Sequence, residues 1–156
     1  MEAIRLTGDD WPTLRAVRLA ALADAPYAYG STLAREQEFD EAEWRSRLYT
    51  GLWVIAVRNA ENAGIVGVYL PAPNTPMLIA MWVDPEHRGH GVGDTLVTEM
   101  MAWATEKRWS QVVLRVADGN DAARKLFLRH GFVPTGERVP LESDPRVRTE
   151  ILSRAL

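Results

Sequence analysis

The chain has 156 residues, a formal net charge of −3, 47% apolar and 25% charged residues, and no cysteine. The length suits a single domain over residues 1–156 with a substantial core, and the lack of cysteine excludes disulfides, thiolate metal sites and a cysteine nucleophile. No apolar run is long enough to span a bilayer, and the acidic opening MEAIRLTGDDWP is unlike a signal peptide; a cytoplasmic protein without membrane partners is expected.

In chain order, residues 3–6 (AIRL) read as a short strand. Asp9 and Asp10 precede Trp11-Pro12, a helix start with proline in the first turn. The helix continues with Leu14, Val17 and Ala21 on one face and Leu22 at its edge. Residues 26–39 (PYAYGSTLAREQEF) read as a loop or broken helix. A short helix begins at Asp40, where Glu43 completes a capping-box pattern. Strands are expected at 52–58 and 64–70, joined as a hairpin by NAENA. After the proline-broken turn at 71–76, residues 77–83 (MLIAMWV) predict a strand buried on both faces. Val92, Leu96, Val97, Met100, Trp103 and Ala104 mark an amphipathic helix ending near Lys107-Arg108. Residues 111–116 form a strand, and 120–130 a helix closed by Gly131. FVPTGER and VRTEILSRAL are two last strands around the loop VPLESDP. The order is an α/β mixture without strict βαβ alternation.

The stretch VDPEHRGHGVGD, residues 83–94, places Arg88 and three alternating glycines between a strand and a helix. Glycine loses the most conformational freedom on folding, so this spacing needs a reason. A dinucleotide fingerprint fails, because the sixth position counted from Gly89 is Asp94 and five residues separate strand from glycines. A Walker A loop fails as well, since no Gly-Lys-Ser/Thr follows. There remains a loop whose backbone N–H groups, with a helix N-terminus and Arg88, converge on one anion. The alternative is a glycine-rich turn that binds nothing. Net charge argues against nucleic acid as the anion, although arginine outnumbers lysine sixteen to two.

These residues resemble the acyl-CoA-binding motif of the GNAT N-acetyltransferase superfamily, R-x-x-G-x-G/A, met by Arg88, Gly91 and Gly93. A second family element, N-x-x-A-x-x-x-Y-x-x-x-G-F, is matched by Asn120, Ala123, Phe127, Gly131 and Phe132, with phenylalanine in the tyrosine's place. The resemblance is good over residues 50–155. It implies an α/β (α+β) single-domain fold: a central mixed, mostly antiparallel twisted sheet flanked by helices, with parallel strands 77–83 and 111–116 splayed apart. Acetyl-CoA would be the co-substrate in that gap. Its pyrophosphate would lie on the N–H groups of Gly89, His90, Gly91, Val92, Gly93 and Asp94, beside Arg88. Its pantetheine arm would pair with backbone near Met81 and Val83, and Val83 N–H would serve as oxyanion donor. Ala123 and Phe127 would face the cofactor. Asn120 has two readings, cofactor ligand or helix N-cap, and the side chains of Met81 and Trp82 are read as core. Family habit suggests a homodimer.

Phe127 cannot donate a proton. A thiol with a pKa of about 8.5 leaves tolerably as the thiolate, so the loss does not rule out transfer. Tyr69 is the substitute acid, with a buried structural role as the alternative; Tyr27 and Tyr29 lie on the loop where such folds bind the acceptor. Glu36, Glu38 and Asp144 are base candidates, Glu36 foremost, against a surface-charge reading for each. His87 and His90 flank the glycine loop and His130 ends a helix, so no metal is expected. G-x-S-x-G is absent. The implied activity is acetyl transfer to a primary amine of a small molecule or peptide. The rivals are a CoA-binding sensor without transfer activity and a nucleotide-phosphate binder.

Overall fold

The chain runs β1 (Glu2–Arg5), α1 (Trp11–Asp24), α2 (Leu33–Gln37), α3 (Glu41–Thr50), β2 (Leu52–Arg58), β3 (Glu61–Tyr69), β4 (Met77–Val83), α4 (Val92–Glu106), β5 (Gln111–Ala117), α5 (Asp121–Arg129), β6 (Val133–Leu141) and β7 (Asp144–Ala155). These elements come from a computed structural model in which residues 1–26, 31–142 and 144–156 are described. Local sequence sets several boundaries. Asp40 Oδ1 accepts from Glu43 N–H at 2.9 Å and starts α3. Thr32 does the same for Arg35 at 3.2 Å and starts α2 inside the stretch read as loop or broken helix. Gly131, at φ +84°, follows the end of α5.

Seven strands make one sheet in the order β1-β2-β3-β4-β5-β7-β6. Every pairing is antiparallel except β4 with β5. The pleat sends alternate residues of β2 to opposite faces. Val54 and Ala56 join α4, whose stripe of Val92, Leu96, Val97, Met100 and Ala104 is buried. Trp53 and Ile55 join α1 and α3 on the other face, through Leu14, Ala21, Trp44 and Leu48. Trp103, expected on the buried stripe of α4, is partly buried and lies under the Arg5 guanidinium at 4.8 Å.

Three sequence expectations need correction. The β2–β3 hairpin turns at Asn59 and Ala60, with φ of 55° and 61°, and Arg58 already faces Glu61. Both central residues are left-handed, so the connection is a two-residue turn and β3 begins earlier than its apolar run. Most of VPLESDP is not loop, because Val139 and Pro140 on β6 pair with Thr149 and Arg148 on β7. Pro134 and Pro140 fit there because β6 is an edge strand. Finally, β4 is not buried on both faces: Leu78 and Trp82 are buried, whereas Ile79, Ala80, Met81 and Val83 are partly exposed. They border a gap in the sheet.

Candidate active-site cleft

The gap begins with a bulge. Gly67 faces Ile79 and Ile65 faces Trp82, so β4 carries one residue more than β3 across that interval. Ala80 sits in the interval at φ +61°, a left-handed conformation unusual for alanine. A bulge bends its strand and sharpens the local twist. Met77 and Leu78 pair with Val113 and Leu114 of β5, and beyond them the two strands separate. The alternation of an antiparallel ladder decides which groups face the opening. Asp84 N–H bonds to Ala63 O at 2.9 Å, so the neighbouring pair Val83–Gly64 is non-hydrogen-bonded and Val83 turns its N–H and C=O toward the gap. A cleft of about 700 Å³ occupies it, lined by Met81 and Val83 on one wall and Ala117 and Asn120 on the other. A smaller cavity of about 70 Å³ lies deeper between the strands, where Phe127 reaches in.

The glycine loop forms the cleft's rim. Gly89 and Gly91 have φ of 78° and 80°, which side chains rarely adopt. A Cβ built on either would meet no atom within 4 Å, so the space beside them is open. Gly91 leads into α4, leaving the first N–H groups of that helix without intrahelical partners. Gly93 has a different reason to be glycine: its Cβ would fall 2.9 Å from Leu126 Cδ2, where α4 packs on α5. Open cradle, helix N-terminus and the neighbouring Arg88 fit a diphosphate. Just before the loop, buried His87 lies between Arg58 Nη1 at 3.2 Å and Glu61 Oε2 at 2.8 Å. Arginine can only donate, which leaves Nδ1 as acceptor and Nε2–H as donor to Glu61. That ring ties the loop to the β2–β3 hairpin.

Arg88 lines the cleft and is already engaged. Its Nε donates to Val83 O at 3.0 Å and its Nη2 to Asp24 Oδ2 at 2.8 Å. The Trp82 indole N–H reaches the same Oδ2 at 2.9 Å. Asp94, also on the cleft, bonds to His130 Nε2 at 2.8 Å and Arg129 Nη2 at 2.9 Å. Bonding to His130, then to Arg129, holds its carboxyl below the ordinary aspartate value. Sequence reading missed Asp24 and Arg129. Asp24 did carry a signal, a carboxylate at the negative end of a helix dipole.

The predicted site residues separate into two groups. Met81, Val83, Arg88, Gly89, Gly91, Val92, Gly93, Asp94, Asn120 and Ala123 share the cleft; Phe127 lines the inner cavity. His90 is exposed. Asn120 Oδ1 accepts from Ala123 N–H at 3.4 Å, a long capping bond at the cleft wall. Phe127 is 3% exposed and meets Phe132 edge to face.

The side-chain candidates for acid and base lie elsewhere. Tyr69 is exposed rather than buried and pairs with Met77, six residues before Val83. At strand rise that is roughly 18–20 Å, too far for an acid acting on a carbonyl at Val83. The Glu36 carboxylate is fully buried and held by Arg18 and by Arg47 Nη1 at 2.9 Å. Burial pushes its carboxyl up, but bonding to Arg18 and the charges of Arg18 and Arg47 outweigh this and hold it low. Two guanidinium partners make it a poor base. Glu38 is exposed, and Asp144 is bonded to Arg146, which lowers its carboxyl. Tyr27 and Tyr29 lie outside the described residues.

The profile of the acetyltransferase (GNAT) family matches residues 15–132. Rat "N-acetyltransferase 8F1" is 29% identical over 127 residues, 77% of this chain and 57% of that protein. The chain spans about half the length of the curated relatives it matches. Among solved structures, yncA from Salmonella typhimurium with its cofactor acetyl-CoA superposes with a TM-score of 0.80 at 16% identity, covering 100% of this chain and 94% of that one. The ribosomal-protein-alanine N-acetyltransferase of Brucella melitensis gives 0.78 at 20% identity, covering 100% of both chains. At these identities the structural likeness is one of fold.

Proposed function

Since this chain belongs to the GNAT acetyltransferase family, we propose that it moves an acetyl group from acetyl-CoA to a primary amine of a small molecule or peptide, by direct attack in a ternary complex. The observation that carries this reading is the bulged, splayed β4, which turns the Val83 N–H into a cleft ending on a glycine-lined helix N-terminus.

Acetyl-CoA supplies the activated acyl carbon. The chain's part is to hold and polarise. Backbone N–H groups from Gly89 to Asp94 would hold the pyrophosphate, and Arg88 would add charge-assisted bonds. Exposed backbone of β4 near Met81 would take the amide-rich arm as a partial extra strand. Val83 N–H would donate to the carbonyl oxygen as it gains negative charge. Because Phe127 has no hydroxyl, the thiol's own acidity would have to suffice for its departure.

That last point favours the second reading, a CoA-binding module without transfer. The test is amine-dependent release of thiol from acetyl-CoA across a broad amine panel, with CoA binding measured by calorimetry. Turnover by the wild type supports transfer. If departure limits the rate, Phe127→Tyr should raise turnover, up to about a hundred-fold; if not, turnover should stay the same. No release from either protein, with CoA still bound, would leave the binding module as the function.

A further inference from the structure

We propose that Asp24 is the docking carboxylate for a cationic acceptor amine, and that Arg88 covers it until the cofactor's pyrophosphate draws that arginine away. The inference rests on the acetyl-transfer reading above, and adds the residue that receives the charge of the acceptor.

Asp24 is the last residue of α1, whose final turn carries no basic residue. A negative charge there is opposed by the helix dipole. A carboxylate kept in a locally unfavourable place points to a use outside its own helix. Its surroundings supply one. Trp82 and Arg88 both bond to Oδ2, and among the described residues no donor is bonded to Oδ1. Trp82 stands next to Val83 on β4, and Ala25, next to Asp24, lines the cleft with Val83. Arg88 bridges the two residues, donating to the Asp24 carboxylate and to the Val83 carbonyl, so the carboxylate lies on the side of Val83 that faces the gap.

Arg88 cannot serve both anions fully. Its side chain is 55% exposed and already divided between Asp24 and the Val83 carbonyl. A pyrophosphate on the neighbouring loop carries two negative charges and accepts bidentate bonds from a guanidinium. As Arg88 turns to it, Asp24 loses its counter-ion but keeps the indole N–H that orients it. An ammonium group can then take the vacated place, at the mouth of a cleft now holding the acyl donor. It passes one proton to solvent water before its nitrogen attacks the thioester carbon, and the C–S bond breaks with the sulfur leaving as thiolate. Cofactor binding thus uncovers the carboxylate that receives the acceptor.

The test is calorimetry of CoA binding to the wild type, Asp24→Asn, Arg88→Ala and the double variant. Freeing Arg88 from its competing partner should make Asp24→Asn bind CoA about two- to five-fold more tightly, the worth of a half-exposed ion pair. The gain should vanish when Arg88 is alanine. In the thiol-release assay, Asp24→Asn should raise KM for a primary alkylamine about ten-fold or more while leaving that for aniline, which is neutral, unchanged. Asp24→Ser should repeat both results, and melting curves verify that each variant is folded. Unchanged or weaker CoA binding by folded Asp24→Asn would overturn the proposal, as would an equal loss with alkylamine and aniline. If neither amine is acetylated, the calorimetric result decides alone. Failure of the wild type to bind CoA at all would instead overturn the acetyl-transfer reading.

Discussion

A carboxylate shut between guanidinium groups has a different task from one at a cleft mouth. Glu36, with Arg18 and Arg47, ties α2 to α1 and α3. Removing one member of a buried ion pair leaves the partners' charge uncompensated, so Glu36→Gln should cost about 3–5 kcal/mol, read from urea unfolding. The sign with pH follows from its lowered carboxyl. Glu36 stabilises the fold above its ordinary value of 4.5, and that stability is lost as pH falls through its lower folded value. Glu36→Gln should therefore show a shallower loss of stability below about pH 4.5; an unchanged acid profile would contradict the role. None of this was legible in the sequence. Arg18 and Arg47 lie 18 and 11 residues away, and an acid in a polar loop-like stretch reads as surface. Arg88, Gly91 and Asn120 were legible because their chemistry is bound to fixed local spacing.

At the scale of elements, the bulge in β4 has the largest effect and the weakest signature. Its residue at φ +61° is alanine, which no sequence rule marks as left-handed. The apolar run around it therefore reads as an ordinary buried strand. A β-branched residue tolerates that conformation worse still. Ala80→Val should destabilise the protein by about 1–3 kcal/mol and weaken CoA binding, since Met81 and Val83 would lose their aim. Melting curves with calorimetry check both effects; a folded Ala80→Val protein with full CoA affinity would show that the bulge does not shape the cleft. By contrast α1, α4 and α5 were set by caps and apolar stripes and were read nearly to their ends, whereas α2 lay in a stretch read as loop or broken helix. Residues 61–63 were missed because a two-residue turn of Asn-Ala lacks the usual glycine.

For the molecule as a whole, the sheet is two pieces sharing a narrow join. β1 to β4 form one, β5, β7 and β6 the other, and they are paired at Met77–Val113 and Leu78–Leu114. A ligand in the gap touches both. At a hundred times its Kd, CoA should add about 2.7 kcal/mol of stability, raising Tm by roughly 5–10 °C for a chain of this size. Hydrogen exchange should slow most along the separated halves of β4 and β5. Protection confined to the glycine loop would place the ligand outside the gap. The split itself could be anticipated from the family resemblance alone, because periodicity identifies strands and is silent about which of them part.

The strand order also sets a timetable for synthesis. β7 is made after β6 yet lies between β6 and β5, with Ala155 opposite Gln111. While the chain is still emerging from the ribosome, β5 has no partner on its outer side, and β6 has nothing to attach to. The strand leading into one wall of the cleft is therefore completed only by the twelve residues of β7, Asp144–Ala155. A nascent chain lacking them has the glycine loop complete, but β5, which leads into the opposite wall, is unpaired on its outer side. A version stopped after Glu142 should accordingly show no heat of CoA binding, and retained binding would mean that the loop holds the ligand unaided.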